Sequence, residues 1–184
     1  NTYKNSVLKT EDGYIITSKD IVYNIKDKIL SSDGNTILID PDKNEASVSM
    51  FQYNLKKKLF SSVGDIKIID IKKNKYFFKE LHINTKEKEM IGSDVSVLLD
   101  PKDFGVKETN DPRFVANDIF VSKNKSILSK GVFTVCPIKK GECPPWLLKA
   151  KKITHDKIKK TIYYNHATLK FYDIPIFYFP KFFH

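Results

Sequence analysis

Tyr23-Asn24-Ile25-Lys26-Asp27-Lys28-Ile29-Leu30-Ser31-Ser32-Asp33-Gly34 returns 30 residues later as Tyr53-Asn54-Leu55-Lys56-Lys57-Lys58-Leu59-Phe60-Ser61-Ser62-Val63-Gly64. A weaker third copy keeps Asn84, Lys86 and Lys88 where Asn24, Lys26 and Lys28 stand, and Asp40, Asp70 and Asp100 close the three units. Self-similarity at a fixed period marks a repeat architecture, in which each unit buries a face against the next. Between Gly13 and Asp100 short runs rich in Ile, Val, Tyr and Phe alternate apolar and polar residues. They break at Asp33-Gly34-Asn35, at 40–44, at Gly64-Asp65 and at Lys73-Asn74-Lys75. Period-two runs bounded by Gly, Asn, Asp and Pro predict antiparallel strands joined by tight turns, two strands and two turns per unit.

Stacking the units in phase aligns columns. Positions 21/51/81 hold Ile21, Phe51 and Leu81; 23/53/83 hold Tyr23, Tyr53 and Ile83; 30/60/90 hold Leu30, Phe60 and Met90; 38/68/98 hold Leu38, Ile68 and Leu98. All are apolar or aromatic, whereas 26/56/86 and 28/58/88 are lysine throughout. One face is therefore expected to be apolar and the other wet, as in a half-buried antiparallel sheet. These columns alone fit two arrangements, a filled core between two sheet faces or an open groove.

Beyond the repeats, residues 101–113 lack periodicity and read as a loop. Alternation resumes over 114–121 and 127–135, a cysteine-bearing turn covers 136–145, and strands are expected at 146–156 and 161–172. No helical period is sustained over ten residues, so the expectation is one all-β domain over 1–184, with repeats over about 13–100 and strands over 114–172.

At 184 residues and 41% hydrophobic content the chain can bury a sizeable core, which excludes a disordered polymer. The net charge of +10 raises the question of a nucleic-acid partner. Only Arg113 among 32 basic residues is arginine, whereas base and phosphate readers favour the guanidinium fork. The lysines read instead as a solvated sheet face with protected edges, and no nucleic-acid partner is expected. No 18-residue apolar run is present; the richest stretch, 174–183, is interrupted by Pro175, Pro180 and Lys181. A chain that starts at Asn1 reads as a mature or excised segment.

Catalysis requires a nucleophile near a base, or clustered carboxylates, and a metal requires ligand spacing. His82, His155, His166 and His184 are scattered, and neighbouring His155 and Asp156 would point to opposite faces of a strand. Neither a phosphate loop nor a nucleophile elbow is present. No enzyme, metal or cofactor is expected. Cys136 and Cys143 lie close together in a turn-rich stretch, which permits a small disulfide loop in an oxidising compartment.

The C-terminal third carries a resemblance. Cys143-Pro144-Pro145-Trp146-Leu147-Leu148-Lys149-Ala150, Ile153-Thr154-His155-Asp156, Lys160-Thr161-Ile162-Tyr163-Tyr164-Asn165 and the run from Ile174 to His184 resemble the LptD (OstA) family of lipopolysaccharide-assembly outer-membrane proteins, in the segment that joins periplasmic domain to β-barrel. The upstream repeats resemble the OstA-type repeats of that family and of its periplasmic bridge proteins. The resemblance implies a periplasmic, Gram-negative location and an OstA-like β-jellyroll, a V-shaped stack of antiparallel strands with an open apolar groove. The groove would carry lipopolysaccharide acyl chains, which cost about 0.8 kcal/mol per CH₂ exposed to water.

On that reading the lipid-groove residues are Ile21, Tyr23, Leu30, Leu38, Phe51, Tyr53, Phe60, Ile68, Leu81, Ile83, Met90 and Leu98. The first strand, about 14–24 with Tyr14, Ile16 and Ile21, would be the free edge that pairs with the bridge protein. Pro175, Phe177, Phe179 and Pro180 would form the outlet, and 173–184 would lead into the barrel, absent here, to which an outer-membrane lipoprotein binds. Family members bridge cysteines between domain and barrel, so Cys136 and Cys143 pair with each other, the favoured reading, or one reaches the barrel. The competing reading is a structural β-repeat module that binds a partner by strand-edge pairing.

Overall fold

A computed structural model describes residues 2–10, 13–102, 106–138 and 144–183. It is all-β and antiparallel, with no helix among the described residues, and has the expected β-jellyroll-like character. The strands are β1 (Thr2–Lys9), β2 (Ile15–Asn24), β3 (Ile29–Ser32), β4 (Thr36–Ile39), β5 (Glu45–Val48), β6 (Phe51–Asn54), β7 (Leu59–Ile69), β8 (Lys75–Asn84), β9 (Glu89–Leu98), β10 (Arg113–Val121), β11 (Lys125–Thr134), β12 (Trp146–Asp156), β13 (Thr161–Phe171) and β14 (Ile174–Phe183). The chain divides into two compact units, Asn1–Gly92 and Ser93–His184.

In the first unit the 30-residue period is a coil of four short segments around two walls. One wall pairs segments 15–18, 36–39, 45–48, 66–69 and 75–78 in turn. The other pairs 22–24, 29–32, 51–54, 59–62 and 81–84. Strands β2, β7 and β8 run through both walls and therefore bend between them. At the bend the alternation of faces is interrupted. Ser18 and Ile21, Val48 and Phe51, and Phe78 and Leu81 are all buried, with two residues between them turned outward. At the opposite end of each segment Ser32 and Thr36, then Ser62 and Ile66, are buried across a three-residue step.

Small hydroxyls fit where the walls converge, provided each finds a partner. Ser18 and Ser32 share a 2.8 Å hydrogen bond, Thr36 donates to Ser18 at 2.9 Å, and Ser62 donates to the Met50 carbonyl at 2.6 Å. No buried side-chain polar atom among the described residues lacks a partner.

The polar residues of the repeat build its turns. Asn24 and Asn54 accept the backbone N–H three residues on, from Asp27 and Lys57, and Asn84 accepts from Lys86 and Glu87. Asp40 accepts from the backbone and side chain of Asn44, and Asp70 does the same for Asn74. These are Asx turns, in which the side chain stands in for a backbone acceptor. Lys28, Lys58 and Lys88 end their turns with φ of 56°, 54° and 55°, a left-handed conformation that costs an L-residue about 1–2 kcal/mol.

The second unit contains β10 to β14 as successive antiparallel neighbours. Its strands bend too, with burial marking Ala116 and Ile119, Leu128 and Gly131, Ala150 and Ile153, and Tyr164 and Ala167 on either side of two outward residues. Ala116, Gly131, Ala150 and Ala167 form one row across the strands. Asp94, Lys130 and His166, at φ of 49°, 50° and 50°, sit at the bends of β9, β11 and β13. They are spaced by 36 residues, so the period of 30 lengthens in this unit.

The expected strands over 114–172 are present as β10 to β13, and the described part of 101–113 is turn and coil up to Arg113. Two expectations are corrected. Residues 14–24 are not an edge: β2 pairs with β1 on one side and with β3 and β4 on the other, so Ile16 and Ile21 lie in an interior strand and Tyr14 precedes it. The polar run of β1 escaped the alternation signal. Leu98 also leaves its column, because the bend at Asp94 has two outward residues rather than three. Val95 and Val97 are buried instead.

Two stability outcomes follow. Lys58→Gly relieves the left-handed strain and should raise the urea midpoint, with a gain of up to about 1 kcal/mol after the entropy cost of glycine. Gly131 has no need of positive φ, yet a Cβ there would stand 2.7 Å from Ile153 Cδ1 in the core. Gly131→Ala should therefore cost about 1–3 kcal/mol by overpacking, read in the same titration.

Candidate functional site

Burial in the first unit falls with distance from the bends. Beside a bend, Ile21, Phe51 and Leu81 are buried, as are Leu30 and Phe60. One alternation further out on the same face, Tyr23, Tyr53, Ile83, Leu38 and Ile68 are only half-buried, as is Met90. Beyond them Ile25 and Leu55 are exposed at 56% and 36%. Eleven of the twelve columned residues thus share an apolar face that is filled where the walls meet and increasingly accessible away from that line. Phe51 and Phe60 stack with ring centroids 5.8 Å apart, and the Tyr53 hydroxyl lies 3.2 Å from that of Thr85.

In the second unit the apolar face runs outward to β14. Tyr164, Ala167 and Leu169 of β13 stand opposite Phe182, Phe179 and Phe177. Directly opposed residues share a face, so the expected outlet residues Phe177 and Phe179 extend the buried row. They are uncovered, with exposures of 58% and 37%, while Phe182 stacks on Tyr164 at 4.4 Å. Pro175 and Pro180 lie within β14 itself, a position open to proline because β14 pairs only with β13 among the described strands.

Other polar residues singled out in the sequence fall elsewhere. Arg113 donates from one guanidinium nitrogen to the carbonyls of Asp111 and Cys136, which ties the turns at the head of β10 and the end of β11. It is engaged in holding backbone. Cys136 is buried, with its Sγ 3.7 Å from the Trp146 carbonyl oxygen. Cys143 lies outside the described residues, and with it the pairing of the two cysteines, as does His184.

One polar constellation was invisible in the sequence. The register of β7 and β8 sets Ser61 opposite His82, and His82 Nδ1 lies 2.9 Å from Ser61 Oγ while its Nε2 lies 2.9 Å from Glu80 Oε1. The order is hydroxyl, imidazole, carboxylate, the sequence of a nucleophile, base and orienting acid. The His82 and Glu80 side chains are 40% and 50% exposed, so water screens the carboxylate that would have to act on the imidazole. We read the trio as a cross-strand hydrogen-bonded pair with a flanking charge. No group of three or more His, Cys, Asp or Glu among the described residues could hold a metal ion.

No protein-family model matches the chain, and no curated protein matches it.

Two phenols on or near the apolar face carry a pH signature. Burial pushes the Tyr164 hydroxyl up to about 12. Burial, then the Asp70 carboxylate that accepts its hydrogen bond at 3.0 Å, raises Tyr76 further. Above the ordinary tyrosine value near 10 the unfolded chain releases these protons and the folded chain holds them, so stability must fall as pH rises. Tyr164→Phe should remove part of the decline in urea midpoint between about pH 9 and about pH 11 relative to the parent chain.

Proposed function

We propose that this chain is a lipid-conducting β-jellyroll module of the LptD (OstA) type. Its apolar face takes the acyl chains of lipopolysaccharide, and its role is transfer without catalysis. The observation that carries the reading is the gradient of burial. The columned side chains pass from packed to accessible along one continuous face in the first unit, and in the second the corresponding face ends on uncovered Phe177 and Phe179. A filled sandwich would bury its outer rows as well as its inner ones. Acyl chains laid on half-buried aromatic and aliphatic rows regain about 0.8 kcal/mol per CH₂ removed from water.

On this reading the module works in the periplasm of a Gram-negative cell as part of an outer-membrane protein. The bridge protein pairs with the free edge of β1, since β1 is paired with β2 alone among the described strands. The barrel and its lipoprotein partner lie beyond β14. The same unpaired edge of β1 supports the second reading, a β-repeat interaction module that binds a partner without lipid.

A photo-crosslinking residue at Tyr53 or Phe179, both on the accessible part of the apolar face, should label lipopolysaccharide, and the same residue at Lys56 should not. Labelling from Lys56 alone would overturn the lipid reading. Loss of labelling in Ile83→Asp with partner binding retained would separate lipid carriage from strand-edge pairing.

A further inference from the structure

The outer face of the second unit holds a trough of about 720 Å³ across β9 to β13. Its long walls are two rows. The first is Asn117, Lys130, Lys151 and His166; the second is Val115, Val132, Lys149 and Thr168, with Ala116 and Ala150 between the rows and Asp94, Val95 and Ser96 of β9 at one end. Both rows alternate with the buried Ala116, Gly131, Ala150 and Ala167, so their side chains stand on the opposite face of the sheet. Strands about 4.8 Å apart make a five-strand trough about 19 Å long.

The charges in it are the informative part. The pairs Ser129↔Lys152 and Gly131↔Ala150 bracket Lys130 and Lys151, which therefore face each other across β11 and β12. The pairs Ala150↔Ala167 and Lys152↔Asn165 set His166 opposite Lys151 in the same way. Like charges directly opposite on adjacent strands are unfavourable for the sheet. Lys149 adds a third ammonium group to the same trough. None of the three lysines has an ion pair among the described residues, and Asp94 at the β9 end is the only acid lining it. His166 is held by the Tyr178 hydroxyl at 2.6 Å, but the fold gains nothing from the aligned lysines, whereas an anion lying along them would offset the repulsion.

The walls also limit which anion fits. Val115 and Val132 offer apolar surface beside the lysines, and Asn117 and Thr168 offer neutral hydrogen-bonding groups. A bare inorganic polyanion would leave that apolar surface unused. A sugar ring presents hydroxyls at its rim and C–H groups on its face, and phosphate supplies dense charge with several acceptor oxygens. Ammonium groups recognise phosphate as point charges and do not demand a bidentate geometry. We propose that this trough binds a phosphorylated saccharide, with phosphate between Lys130 and Lys151 and the sugar along Val115 and Val132. This site is on the face opposite the proposed lipid path and does not depend on it.

The test uses the full chain and follows its backbone amides by NMR as fructose 1,6-bisphosphate is added. Saturable shifts are expected at 115–117, 130–132, 149–151 and 166–168. Lys151→Ala should weaken binding about tenfold or more, as expected for loss of a hydrogen-bonded charge. The same variant should leave the urea midpoint of the free protein unchanged or raised, because it removes a repulsion. A lowered midpoint would make Lys151 structural and overturn the proposal. Shifts that do not saturate, or that Lys56→Ala weakens as much as Lys151→Ala, would also overturn it and mean an adventitious ion only. Maltotriose, without charge, should bind more weakly than the bisphosphate. Tripolyphosphate bound as tightly as the sugar phosphate would overturn the assignment to a saccharide.

Discussion

Strands that serve two hydrogen-bonded walls at once must bend between them, and the bend is the constraint on which the rest of this structure depends. A flat strand alternates its faces without interruption. Here two outward residues in succession turn the chain from one wall to the next, as at 19–20, 79–80 and 151–152. The side chains flanking each bend are buried, and some of them are small. In the first unit they include Ser18, Ser32, Thr36 and Ser62, whose hydroxyls are hydrogen-bonded, and in the second the row Ala116, Gly131, Ala150 and Ala167. Both solutions use small volume; the first also satisfies its own polar atoms, and the second has none to satisfy. Phe51 and Phe78 flank bends as well, and with Phe60 they fill the space the small residues leave.

How much of this was legible in the sequence follows from what each residue contributes. The 30-residue period was readable because the turns repeat their chemistry, with Asn24, Asn54 and Asn84 in one turn and Asp40 and Asp70 in the other. The apolar columns were readable because a three-residue step and a two-residue step recur in each unit and restore the phase. At Asp94 a two-residue step replaces the three-residue one, the parity changes, and a column drawn by fixed spacing selects Leu98 where the fold buries Val97. No local residue preference announces that change; a left-handed Asp94 carries it. β1 lies outside the alternating pattern for a different reason. Its sequence is polar and its place is set by pairing along the whole of β2.

Sites made by register lie further from reach. Ser61 meets His82, and Lys130 meets Lys151, only because antiparallel pairing brings together residues 21 apart in each case. Spacing along the chain gives no hint of either, since the number depends on where a turn falls and how many residues a bend consumes. The lysines of 26/28 and 56–58 and those of the trough are alike in composition. The first group is distributed over turns in water, and the second is aligned across neighbouring strands. Charge counted over the chain therefore says little, and charge placed on the sheet says a good deal.

In the second unit two features remain that folding alone does not favour, the uncovered aromatics of β14 on one face and the aligned cations on the other. A single small molecule cannot touch both, because the sheet lies between them. β14 nevertheless reaches each side. Phe177 and Phe179 continue the apolar row, while Tyr178, next in the alternation, places its hydroxyl 2.6 Å from His166 Nδ1 in the cationic row. The edge strand thus holds residues of both faces in one rigid register. A displacement of β14 by one residue would turn Tyr178 inward and break its bond to His166 while it carried Phe177 and Phe179 out of the apolar face. The bulge at Leu169 and Lys170 ends the uniform register of this pair. The bond between Tyr178 and His166 lies in the uniformly registered part, where it opposes such a slip and keeps the apolar face intact up to the edge of the sheet.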